Sequence, residues 1–133
     1  MKKNKKIYFQ VYEGIFNRRI HILLNYSVEE YDKWVKKLDK TYEGKANDND
    51  FQAWSSEIIV SDQPTEWIIS LKDFHWTISN QGSLIHEIVH TIIKIWAKNN
   101  IPFTPDTQEF LAHSVSNLYE DICRKCYKLG YLK

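Results

Sequence analysis

Three things are scarce in this 133-residue chain: long apolar runs, net charge and cysteine. No segment approaches the roughly 20 consecutive apolar residues that cross a bilayer, so no membrane partner is expected. The basic start, Lys2, Lys3, Lys5 and Lys6, leads into Ile7–Tyr8–Phe9–Gln10–Val11, too short and too polar for the core of a secretion signal. The expected place of the protein is the cytosol, or an assembly made there. A formal charge of +1 gives no field strong enough to make nucleic acid the main partner. The lysines at the start read as a solvated, flexible tail over residues 1–6.

Only two cysteines are present, Cys123 and Cys126. No second pair exists to complete a four-thiolate zinc site, and the two lie deep in a helical pattern, away from the helix N-terminus that activates a redox pair. They read as small core residues. What remains is an ordinary globular composition, 43% hydrophobic and 26% charged, enough for one domain with its own core over residues 1–133.

The first half of the chain predicts strands around one helix. Residues 7–12 and 20–26 are rich in β-branched and aromatic side chains, with Gly14 and Asn17 between them as a hairpin loop. Ser27 precedes Val28–Glu29–Glu30 as in a capping box, and Tyr31, Trp34, Val35 and Leu38 continue at helical spacing to about Lys40. Residues 41–52 read as an exposed loop. Strand-like runs follow at 56–60 and 67–71, with a turn at Pro64. From about Asn80 the apolar residues 84, 85, 88, 89, 92, 93 and 96 form a helical stripe, which Pro102 terminates. Thr104 as a cap and Pro105 at the first position predict the start of a last helix. Its buried face would be Phe110, Leu111, Val115, Leu118, Tyr119, Ile122 and Cys126, and Gly130 would stop it. The expected class is α+β: a small, mostly antiparallel sheet packed on helices, ending in two long antiparallel ones.

The chemistry sits in His86–Glu87–Ile88–Val89–His90. Four residues along a helix fall about 40° past a full turn and rise about 6 Å, so both imidazoles leave one face and can address one ion. Zinc takes imidazole and carboxylate ligands in a tetrahedron, and a carboxylate beside it can serve as base for a metal-bound water. His86 and His90 are thus candidate ligands and Glu87 the candidate catalytic base. Eighteen residues separate His90 from Glu109 (positions 91–108), enough for two more turns, a reversal and the start of an antiparallel helix. Glu109 is the candidate third ligand, leaving a fourth position open for water. Ala112 and Ser116 are small enough to let the two helices approach.

This pattern, His-Glu-x-x-His followed after 18 residues by Glu, resembles the gluzincin branch of the zincin metallopeptidases. The stretch from 78 to 120 is also similar to small metallopeptidases of bacteriophages and prophages, in which a strand-rich region precedes the motif and Glu109–Phe110–Leu111–Ala112 has its counterpart. The resemblance implies a zincin-like fold, a Zn2+ cofactor, a peptide or protein substrate, and a location in the cytoplasm of a bacterial host cell or on the virion. It also implies that substrate lies extended along an edge strand, for which Trp67–Leu71 is the candidate. Four positions after the third ligand the family often carries an acidic residue; here that place is His113, a departure that leaves the support of the ligands open.

Each residue also has a plainer reading. The motif can be a helical coincidence, and Glu109 an ordinary first-turn carboxylate favoured by the helix dipole. His113 and Tyr119 are candidates for orienting a ligand or stabilising an oxyanion, or else simply pack. His21 and His75 have no metal-ligand spacing and read as structural. The alternative function is a catalytically inactive zincin-fold protein that acts through virion association, regulation or self-association.

Overall fold

The computed structural model describes residues 5–43, 53–59 and 63–131. Within them, Ile7–Glu13 (β1) alternates and pairs antiparallel with Arg18–Leu24 (β2), from Ile7 opposite Leu24 to Glu13 opposite Arg18. The turn between them is held by the buried Glu13 carboxylate, which accepts from the Ile15 and Phe16 amides at 2.8 and 2.7 Å. Asn17 takes the left-handed φ of 53° there. After Val28–Leu38 (α1), Ala53–Ile58 (β3) and Glu66–Leu71 (β4) form a second antiparallel ladder. β4 lies parallel to β2, giving a four-stranded sheet ordered β1-β2-β4-β3.

Alternation sends one set of side chains to each face. Leu23, Ile58 and Ile68 meet Tyr31 and Val35 of α1 on one side. On the other, Phe9, Ile22, Trp67 and Ile69 meet Ile78–Lys98 (α2) and Gln108–Lys128 (α3). The sheet is therefore a middle layer. This explains why β2 and β4, central and covered on both faces, are near-continuous apolar runs, whereas β1 alternates. Each fully buried residue such as Ile88, Ile92 or Ile95 contributes about 1.5–3 kcal/mol by leaving water.

Asn25 fixes the entry to α2. It sits at a φ of 67°, a conformation that Asn tolerates. Its Oδ1 accepts from the Phe74 amide at 2.7 Å, and its Nδ2 donates to Lys5 O and Tyr131 Oη, both at 3.0 Å. Tyr131 Oη in turn donates to Phe74 O. Thr77 then caps α2 by accepting from the Asn80 amide at 3.2 Å. At the far end, Asn100 turns the chain at a φ of 58°, Ile101 N returns to Trp96 O, and Phe103 stacks on Trp96 at 5.6 Å between centroids.

Several expectations are corrected. Trp67–Leu71 is no edge: β4 is paired on both sides, by β2 and β3, and its two-sided burial is the mark of a central strand. The edges are β1 and β3. α3 begins at Gln108 rather than at Thr104–Pro105, because residues 105–107 form a turn in which Thr107 Oγ1 donates to Pro102 O at 2.9 Å. Phe110 is 62% exposed instead of buried, and Ala112 and Ser116 are exposed rather than at the α2 contact. The differences of one or two residues at other helix ends are those of fraying termini. Residues 1–4 of the expected tail, 44–52 of the expected loop and Val60 lie outside the described residues. Among those described, Lys6 pairs with Glu30 and lies over the Tyr26 ring, and no helix is long and apolar enough to cross a membrane.

Candidate functional site

His86 and His90 lie on the exposed face of α2, opposite the stripe of Leu84, Ile88, Ile92 and Ile95 that packs on the sheet. Their rings meet edge to face, with centroids 4.5 Å apart, and their Nε2 atoms converge to 3.0 Å. Two nitrogens bound to one tetrahedral zinc at about 2.0–2.1 Å stand about 3.4 Å apart, so the pair is nearly set for a shared ion. This donor pair fits zinc.

Glu87 is placed differently from its neighbours. It is only 8% exposed, and among the described residues its carboxylate has no side-chain or backbone donor. It shares its flank of α2 with Lys94, seven residues on and about 20° away around the helix. Lys94 Nζ reaches Ser55 Oγ at 3.4 Å, and Lys98 pairs with Glu57 at 2.8 Å. That flank therefore overlies the edge strand β3.

Tyr119 Oη donates to Gln81 Oε1 at 3.0 Å, and burial raises the Tyr119 hydroxyl above the ordinary tyrosine pKa. With the Tyr131–Phe74 contact, this makes α3 run back along α2. Glu109 lies ten residues before Tyr119 and His90 nine after Gln81, about 15 and about 14 Å from the same rung. The two are level along the helix pair. By the same count His113 is level with His86. Glu109 and His113 are nonetheless exposed, at 80% and 76% of the side chain, and face each other at 4.0 Å. His86 and His90 are thus brought together, as are Glu109 and His113. Among the described residues no group of three or more His, Cys, Asp or Glu is gathered to hold a metal.

Tyr119 itself serves as a tie between helices. His75 is exposed, its amide donating to Asn80 Oδ1 at 2.7 Å. His113 also borders a cavity of about 550 Å³ between α3 and the β1–β2 turn, with Ile15, Phe110, Asn117, Asp121 and Arg124 on its wall. Nothing in the sequence pattern pointed to this cavity, because its two walls are about a hundred residues apart in the chain. The largest omission concerns His21. Read as structural from its strand, it is buried between two polar partners, Tyr8 of β1 and Glu66 of β4. Cys126 is buried and Cys123 half-buried, as their helical positions imply. Comparison of the chain with protein-family models, curated proteins and solved structures gives no match.

Proposed function

We propose that the protein is a zinc-dependent hydrolase acting on peptides, with His86 and His90 as metal ligands, Glu109 as the third, and Glu87 as general base. The observation that carries this reading is the 3.0 Å convergence of the two imidazole Nε2 atoms on an open helix face. Zinc held there supplies a Lewis acid that polarises a carbonyl and acidifies water. Glu87 is the group to take the proton from the attacking water: it is a carboxylate next to the pair and uncommitted to any described donor. The level of Glu109 with His90 supports its part, which requires its exposed side chain to swing from His113 towards α2. Beside Glu87, the β3 edge offers unpaired backbone groups to an extended substrate.

A second reading, a zincin-fold interaction protein without catalysis, virion-associated or self-associating, is favoured by the absence of a third donor beside the pair among the described residues. One experiment separates the two. Zinc content and hydrolysis of a mixed quenched-fluorescent peptide library are measured on the native chain, Glu87→Gln and Glu109→Ala. The hydrolase reading requires Glu87→Gln to keep zinc and lose cleavage, and Glu109→Ala to bind zinc more weakly. Zinc without cleavage in the native chain supports the second reading. Unchanged zinc affinity in Glu109→Ala removes that residue from the ligand set.

A further inference from the structure

On the face of the sheet away from His86 and His90, three strands bring together a phenol, an imidazole and a carboxylate. Tyr8 Oη lies 2.8 Å from His21 Nδ1, and His21 Nε2 lies 3.0 Å from Glu66 Oε1. The proton positions follow from the partners. Gln10 Nε2 donates to Tyr8 Oη at 2.8 Å, so the phenol hydrogen is free to point at His21 Nδ1. Nδ1 is then the acceptor, and Nε2–H donates to Glu66, which Arg19 also contacts at 3.3 Å. Trp34 of α1 stands edge-on to the imidazole at 4.8 Å, and His21 is 2% exposed. Burial holds the His21 imidazole below its ordinary pKa, which keeps it neutral and able to accept a proton. Tyr8 is 37% exposed on the edge strand β1, so the phenol end of the chain is open.

We infer that Tyr8 is an activated nucleophile, with His21 as its base and Glu66 as the positioning carboxylate, and that this second site takes small activated acyl groups. The order nucleophile, base, carboxylate is the one that makes hydroxyl side chains reactive. In the step, Tyr8 Oη bonds to the acyl carbon and the bond from that carbon to its leaving group breaks with its electron pair. The phenol proton passes to His21 Nδ1 and from there to the departing group. Glu66 accepts from Nε2–H throughout and stabilises the imidazolium, while the Gln10 amide steadies the negative charge forming on Tyr8 Oη. Nothing else is consumed.

The test uses N-acetylimidazole on the native chain, with the rate of acetylation of each tyrosine followed by peptide mass mapping. Tyr12 and Tyr127 are more exposed than Tyr8, at 46% and 66%, and among the described residues neither has an imidazole bonded to its hydroxyl. The inference requires Tyr8 to react at least about 10-fold faster than either; rates that follow exposure overturn it. His21→Gln should slow Tyr8 by about 10²-fold, the usual worth of a general base, without slowing Tyr12 or Tyr127. Glu66→Gln should slow it less, and Glu66→Asp should restore part of the rate. Equal loss at all three tyrosines would mark a folding defect; the within-chain ratio of the native protein then decides alone.

Discussion

The zinc site proposed at His86 and His90 predicts a zinc-dependent rise in thermal stability that one exposed substitution removes. An ion that binds the folded chain only, present at 100 times its dissociation constant, adds about 2.7 kcal/mol. At about 2.1 cal/mol/K per residue, unfolding 133 residues carries an entropy of about 280 cal/mol/K, so that increment raises the melting temperature by about 10 °C. His86 and His90 are exposed and bonded chiefly to each other. Removing one should therefore cost no more than about 0.5 kcal/mol without metal, under about 2 °C. Circular dichroism melts in graded zinc, after treatment with chelator, should show the rise in the native chain and none in His86→Ala, with the two coinciding in chelator. His113→Ala serves as a control for binding to a surface imidazole and should keep the rise. No rise in the native chain, or an equal one in His86→Ala, would refute the shared site.

Three further outcomes are expected. Ser27→Ala should cost about 1 kcal/mol through loss of the α1 capping box, in which Glu30 N donates to Ser27 Oγ and Ser27 N to Glu30 Oε1. Within that box the Lys6 ammonium, and then the Ser27 amide, lower the Glu30 pKa to about 2 from 4.5; its share of stability is full above about pH 4.5 and lost as pH falls towards 2, at most about 0.5 kcal/mol because the pair faces solvent, and urea titrations of Glu30→Gln should show that window flattened. Burial pushes the Cys126 thiol up to about 12, so a thiol-disulfide reagent at pH 8 should leave it unmodified in the native chain and modify it in denaturant.

The parts of this fold that sequence makes legible are those whose cause is local. The α1 capping box, the hairpin between β1 and β2, and the helical stripe that carries His86 and His90 all depend on residues within a few positions of each other. The parallel β2–β4 ladder does not: it pairs Ile20 with Trp67 across a helix and a strand, and no turn chemistry announces it. The same gap explains the misplaced edge. Trp67–Leu71 was the last strand before the motif, yet strand order is set by which runs are apolar on both faces. β4, with Ser70 and Ile68 towards α1 and Trp67 and Ile69 towards α2, can only be central. The start of α3 moved by a turn because Thr107, which the spacing left unremarked, ties the Pro102 carbonyl and delays the first helical bond.

The site divides along the same line. That His86 and His90 share a face is a property of one helix, and it was readable from their spacing alone. That Glu87 leaves this face is equally a matter of about 100° per residue, but its burial is supplied only by the fold. Glu109 and His113 show the limit. Spacing puts them one turn apart, and the Gln81–Tyr119 bond sets them level with the imidazole pair. Whether a carboxylate crosses from one helix to the other is then decided by charge. In the structure Glu109 is exposed, with His113 as its neighbour. A dication between those imidazoles changes the balance, since two charges on the ion outweigh the exposed contact with His113, which is worth about 0–1 kcal/mol. On the proposed reading Glu109 is the ligand whose position depends on the ion, so Glu109→Ala should alter zinc affinity while leaving stability in chelator unchanged.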